Sequence, residues 1–258
     1  MREAGSWQKR WFDRFYNDRP GWVDGTTTFH RMAAAAIDAL RKPARRDARL
    51  RILEIGSGPA NPTSRFLAGL GELHGIDPDP LVRANDALTS ATQLGEDGVY
   101  PFESGRFDAC VSDYVVEHVA DPVAHLVEVE RVLVPGGLYL FRTPNRWHPI
   151  SLISAATPHW FHRLVANRLR GLADEAHDPY PTLYRMNTRA SIARAAAAAG
   201  LAIRELRMIE PDPSYGRSSR VLFLAFAGYE RLVNSTDWLA GIRINILAVL
   251  EKRDEGPI

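Results

Sequence analysis

The sequence is short of cysteine, of lysine and of long apolar runs. A single cysteine, Cys110, excludes an intrachain disulfide and a multi-cysteine zinc site. It sits in the apolar run FDACVSD (107–113), which suits a buried, inert thiol. Three lysines stand against 29 arginines, and the net charge is only +1. No global field therefore favours nucleic acid or a charged membrane. The longest apolar stretch, VLFLAFAGY (221–229), is far below spanning length, so no membrane span is expected. The start, MREAGSWQKRWFDRF, has charges among its aromatics and no apolar core, so it does not read as a signal peptide. A cytoplasmic location is expected.

What is present is an alternation of strands and helices. RILEIG (51–56) reads as a buried strand ending on glycine. Asn61-Pro62 then opens a helix, with Asn as cap and Pro at the first position, running to about Gly71. ELHGID (72–77) is a strand, 80–88 a helix, and 89–106 a loop with strand character near 91–94. FDACVSD is a strand. Asp121-Pro122 opens a helix that Pro135-Gly136-Gly137 stops, and LYLFRTP (138–144) is the next strand. A helix from Asn187-Thr188 to Gly200 precedes strand 201–210, and 243–253 reads as a last strand. Short connections between alternating elements predict an α/β fold: a Rossmann-like, doubly wound, mostly parallel seven-stranded sheet with helices on both faces. One domain is expected over 1–258. It comprises an N-terminal helical lid (1–45), a cofactor-binding half (50–145) and a substrate cap insert (145–187). A C-terminal part (188–258) carries an apolar helical insert at 219–239.

Function is concentrated in ILEIGSGPANPT (52–63). A strand, a glycine turn and a helix start form a cofactor site at the carboxyl edge of a parallel sheet. A dinucleotide site wants G-x-G-x-x-G with pyrophosphate on the helix N-terminus. Here Asn61 stands where the third glycine belongs. Glu54, two residues before Gly56, would repel a pyrophosphate. It suits a ligand carrying ammonium and sulfonium charge. Asp77 ends the second strand, where an acid can accept from ribose hydroxyls.

LEIGSGPA (53–60), GID (75–77), YPFESGRFDACVSDYVVEHVADP (100–122) and RVLVPGGLYLFRTPN (131–145) together resemble the class I S-adenosylmethionine-dependent methyltransferases of the bacterial small-molecule type. The family's first motif usually reads E-x-G-x-G-x-G, and here its last glycine is Ala60. The resemblance implies S-adenosylmethionine as cofactor and S-adenosylhomocysteine as product. It assigns cofactor contacts to Glu54, Gly56, Ser57 and Gly58, and to Asp77 with Pro78. Asp97, chosen over its neighbour Glu96, would take the adenine side, and Asp113 the end of the fourth strand. Tyr16 and Trp22 are candidates for capping the cofactor or for plain helix packing. His118 is the candidate general base, against a structural role on the helix that follows. Tyr114 and Arg142 are assigned to the substrate side.

Residues 142–189 hold 7 Arg, no Lys and 3 acids, a pattern that fits an anionic or sugar-bearing small molecule or a solvated face. Trp147, Trp160 and Tyr184 are candidates for walling its pocket or for the cap's own core. PHWFH (158–162) has no acid or cysteine beside it, and no metal is expected. The expected reaction is methyl transfer to a hydroxyl oxygen, in bacterial specialised metabolism or saccharide tailoring, by a monomer or homodimer. The rival is a non-catalytic methyltransferase-like scaffold or partner subunit. No nucleic-acid partner is expected, because SDYV replaces the amino-methylating motif after the fourth strand.

Overall fold

The computed structural model describes residues 7–41, 49–156, 180–213, 216 and 219–254. Its sheet has seven strands: β1 (Arg51–Ile55), β2 (Glu72–Asp77), β3 (Ser90–Gln93), β4 (Phe107–Asp113), β5 (Leu133–Pro144), β6 (Leu201–Ile209) and β7 (Asn245–Lys252). Their order is β3-β2-β1-β4-β5-β7-β6. The β1–β2, β1–β4, β2–β3 and β4–β5 pairs are parallel, and β5–β7 is antiparallel. The strand order turns back at β1, between β2 and β4. Ligands of open α/β sheets bind beyond the carboxyl ends of strands at such a point.

The helices are α1 (Trp7–Phe12), α2 (Gly25–Ala39), α3 (Pro62–Ala68), α4 (Pro122–Val132), α5 (Pro149–Ala156), α6 (Arg189–Ala198) and α7 (Arg220–Asn234). Local chemistry starts them where the sequence says. Asn61 accepts from the N–H groups of Thr63 and Ser64, and Asp121 from those of Val123 and Ala124. Thr188 forms a capping box with Ser191.

Two expectations are corrected. The helix over 80–88 is only a 3-10 turn, Pro80–Ala84, because the side chain of Asn85 turns inward to a tertiary partner. The Pro135-Gly136-Gly137 break lies within β5, not before it. β5 pairs Leu133 with Phe107, slips, and resumes at Leu138 opposite Ala109, so the break is an irregularity in the ladder.

Contacts group the chain into two compact units. One is drawn from Met1–Thr28, Asn145–Tyr180 and Met208–Ile244. Its core is aromatic: Trp7, Trp11, Phe12, Phe15 and Trp22 pack against Tyr16, Phe223 and Ala227. The other unit, Phe29–Pro144, Pro181–Arg207 and Asn245–Ile258, holds the sheet.

A buried hydrogen-bond chain crosses the sheet unit. Ser112 Oγ meets Tyr139 Oη at 2.7 Å, Tyr139 Oη meets His125 Nε2 at 3.0 Å, and His125 Nδ1 meets Tyr100 Oη at 3.0 Å. Burial pushes the His125 pKa down to about 4, so the ring is neutral and gives one nitrogen as donor and one as acceptor. Tyr139→Phe would leave both Ser112 and His125 short of a partner. It is expected to lower stability by about 1–3 kcal/mol, read as a shifted urea midpoint at unchanged slope.

Candidate cofactor and catalytic site

β1 is buried on both neighbours' flanks, with Ile52 and Leu53 fully enclosed. It ends in the glycine turn, whose N–H groups point into the protein. Gly56 N and Ser57 N donate to Ile76 O at 2.8 and 3.3 Å, and Gly58 N donates to Asp77 Oδ2 at 2.9 Å. Gly56 has φ 72° and Gly58 φ 49°, conformations that L side chains rarely adopt. A Cβ on Gly56 would also overlap Val115, in the loop after β4. Two amides brace the turn from outside. Asn61 Nδ2 donates to Ser57 O at 2.8 Å. The buried Asn85 Nδ2 reaches Ser64 Oγ at 3.0 Å and the carbonyls of Ser57 and Gly58 at 3.4 and 3.3 Å.

This arrangement does not fit a pyrophosphate. Such a ligand needs N–H donors from the turn and the helix start. Those of Gly56, Ser57, Gly58, Thr63 and Ser64 already donate within the protein, and residues 59 and 62 are prolines. Around the same turn stand three carboxylates at three strand ends. Glu54 is 3% exposed and accepts from Ser64 Oγ at 2.6 Å. Burial pushes its pKa up to about 7, with Asp113 and Asp77 adding to the rise against hydrogen bonds from Ser64 and Asn61. Asp77 is also raised by burial, against hydrogen bonds from Asp79 N and Gly58 N. Two acids beside the turn, Glu54 and Asp77, suit a cationic, hydroxyl-bearing ligand.

The third acid, Asp113, is already neutralised. Arg142 grips it bidentately, Nε to Oδ1 at 2.7 Å and Nη2 to Oδ2 at 2.8 Å. Thr63 Oγ1 donates to the same carboxylate at 2.9 Å and in turn meets His30 Nε2 at 3.1 Å. Arg142 is buried under the Tyr114 ring, 4.5 Å from its centroid. Arg142, assigned to the substrate side by its sequence, is thus engaged by Asp113. Asp113 in turn accepts three hydrogen bonds, and what the end of β4 presents beyond it is Tyr114.

Tyr114 is half-exposed, has φ 58°, and donates from Oη to Asn245 Oδ1 at 3.0 Å. A bulky residue in the left-handed region stores strain, and such strain collects at ligand sites. Next comes the 3-10 turn Val116–His118. Its Glu117 is buried, accepts from Thr143 Oγ1 at 2.9 Å, and is pushed up to about 7 by burial. Glu117 O accepts from the N–H groups of Leu183 and Tyr184 at 2.7 and 3.2 Å. His118 Nδ1 lies 3.2 Å from Pro181 O and Arg185 Nη1 donates to Ala120 O at 2.6 Å. The carbonyl at His118 Nδ1 selects the tautomer with its proton there, which puts the basic lone pair on Nε2. Segment 181–187 is thus pinned along the loop after β4, with Tyr184 (φ 52°) half-buried beside it.

The remaining candidates fall elsewhere. Pro78 is exposed, its carbonyl accepting from Gln93. Asp97 is exposed and accepts from Val99 N, capping its own turn. Tyr16 is 1% exposed in the aromatic core of the first unit and donates to Glu230, so it packs rather than caps a cofactor. Trp22 likewise packs there, donating to Pro211 O at 2.7 Å. Trp147 is exposed in that unit. Trp160 lies outside the described residues. Sequence reasoning missed Asn85, Thr63 and Glu117. Only Glu117 carried a signal, a lone acid among the valines of VVEHV.

Arg142→Met would leave the part-buried Asp113 charge without its partner, with an expected loss of about 2–4 kcal/mol in urea unfolding. Adding Asp113→Asn removes that charge and is expected to restore part of the loss, which a double-mutant cycle measures.

Residues 53–141 match the family model for a methyltransferase domain. Among curated relatives, an uncharacterised 37.1 kDa transposon protein of Streptomyces fradiae is 27% identical over 60% of this chain and 48% of its own length. A methyltransferase of Mycolicibacterium vanbaalenii is 38% identical over 34% of this chain and 37% of its own. The ubiquinone biosynthesis O-methyltransferase of Cereibacter sphaeroides is 36% identical over 38% and 42%. The chain thus spans less than half the length of these relatives. In fold it is similar to the geranyl diphosphate C-methyltransferase of Streptomyces coelicolor, with TM-score 0.51 and 16% identity over 96% of this chain and all of that one. It is also similar to the cyclase SpnF, with TM-score 0.50 and 16% identity over 86% and 81%. Residues 53–141 therefore form a methyltransferase domain, and the fold around them is similar to that of methyltransferases.

Proposed function

We propose that the chain transfers a methyl group from S-adenosylmethionine to a hydroxyl oxygen of a small molecule. The observation that carries this reading is the inward-turned glycine turn ringed by Glu54 and Asp77. It spends the N–H groups of Gly56, Ser57 and Gly58 within the protein and offers carboxylates to a cation and to ribose hydroxyls. Glu54 would hold the cationic end through the turn, and Asp77 the ribose. Bound there, S-adenosylmethionine supplies a methyl group already activated by its sulfonium charge.

The chain's own part is positioning and proton removal. His118, with its tautomer set by Pro181 O, would take the hydroxyl proton at Nε2. Tyr114 and Tyr184 present ring faces suited to a planar or sugar acceptor. Arg142 is held by Asp113, so an anionic group on the acceptor would be met by other arginines. The O-methyltransferase among the relatives supports oxygen as the acceptor atom. Bacterial specialised metabolism or saccharide tailoring is the setting we favour. No helix among the described residues is long and apolar enough to cross a membrane.

Calorimetric titration with S-adenosylmethionine, S-adenosylhomocysteine and NAD tests the reading. Both sulfur ligands should bind and NAD should not. Asp77→Ala should weaken binding by about 1–3 kcal/mol, roughly ten- to a hundredfold. A folded protein that binds neither sulfur ligand would leave the scaffold reading in place.

Two further outcomes follow. A cation favours the ionised form of Glu54, so S-adenosylmethionine should bind more tightly as pH rises toward about 7 and level off above it. The slope is at most about tenfold per pH unit, one proton, and should vanish in Glu54→Gln. His118→Asn should lower kcat by about a hundredfold or more, while cofactor affinity stays unchanged.

A further inference from the structure

α7 is apolar on two faces. Phe223 and Ala227 are buried in the aromatic core, and Val233 and Glu230 on the same face are buried too. The opposite face carries Val221, Leu224, Ala225, Gly228 and Leu232, spaced three or four residues apart along one stripe. Val221 is 77% exposed and Leu232 59%, and Trp238, just past the helix, is 87% exposed. An apolar stripe this open usually marks a contact surface.

The exposed charges on the helix itself, Arg220 and Arg231, are of one sign, with the exposed Asp18 and Asp237 on the neighbouring segments. Beside the stripe an open cavity of about 550 Å³ is lined by Arg14, Phe15, Arg19 and Arg231. Arg231 lies over the Phe15 ring at 5.5 Å, and Arg220, at the helix start, lies over Trp7 and Trp11 at 5.8 and 5.7 Å. Of the cavity arginines, Arg19 meets Glu230 at 3.5 Å. Arg14 and Arg231 have no carboxylate partner among the described residues. The one acid on α7, Glu230, is buried and engaged by Tyr16, Arg19 and Asn234. Asp237, beside Trp238, pairs with Arg243 at 3.3 Å.

We propose that the outward face of α7, with the arginine-lined cavity beside it, docks on an anionic phospholipid surface. The stripe and Trp238 enter the headgroup boundary, where an indole is favoured. The guanidiniums of Arg14, Arg19 and Arg231 receive lipid phosphates, for which planar forked donors are suited. Charge decides between this occupant and a second copy of the chain. A two-fold pairing through α7 would set the Arg220 and Arg231 rim against itself, with no exposed acid on the helix to offset it.

The test is flotation of the full chain with vesicles of mixed phosphatidylglycerol and phosphatidylcholine, and with phosphatidylcholine alone. Binding is expected only with the anionic vesicles, and raised salt should weaken it. Leu224→Asp with Leu232→Asp should reduce binding at least about tenfold, and so should Arg14→Gln with Arg231→Gln. Each pair should keep the wild-type melting curve, the altered side chains being exposed. Vesicles should shift wild-type tryptophan emission to the blue, and Trp238→Phe should lose part of that shift. Equal binding to both vesicle types, or none, overturns the proposal. So does a Leu224/Leu232 variant that turns a dimer into a monomer in light scattering while vesicle binding stays unchanged.

Discussion

Everything at the candidate site depends on one close approach, that of Gly56 to Val115. The turn after β1 and the loop after β4 touch only because position 56 has no side chain. The positive φ there aims the following N–H groups at Ile76 O and Asp77 instead of at a ligand. The contact therefore sets two things together. It fixes what kind of ligand the turn can accept, and it sets the cofactor turn against the loop that bears Tyr114 and His118.

The electrostatics follow from that geometry. Three acids converge at neighbouring strand ends, and each is handled differently. Asp113 is neutralised by a bidentate arginine, and Asp77 accepts two backbone N–H groups. Glu54 has only hydroxyl and amide partners, so burial holds it near its protonated form at neutral pH. A buried, half-protonated carboxylate that a cation can ionise is a ligand-dependent charge. Under the proposed function it would link cofactor binding to proton release without any moving part. Glu117 resembles Glu54 in burial but differs in task. It ties Thr143 and the backbone of Leu183 and Tyr184 to the loop after β4.

The first unit follows another logic. Its core is built from rings instead of a sheet, and α7 is its central element. One face of that helix closes the aromatic core through Phe223. The other leaves leucine and valine open next to Arg14 and Arg231, which meet no carboxylate among the described residues. A helix apolar on two faces asks for two partners, and the fold supplies one of them.

The sequence by itself determined the order of elements, the helix starts and the chemistry of the glycine turn. These rest on local rules: a cap and a proline at Asn61-Pro62 and Asp121-Pro122, and an acid before two glycines. Tertiary structure alone decided which polar side chains were available. Arg142, assigned to the substrate side by its sequence, grips Asp113, 29 positions earlier. Tyr16 looked free to cap a cofactor until Glu230, 214 positions away, took its hydroxyl. Asn85 carried no signal, because its partners at Ser57, Gly58 and Ser64 come near only when β1 and β2 pair. A residue's type and spacing say what bonds it can form. Which of them it forms is set by long-range contacts, whose closure no local pattern encodes.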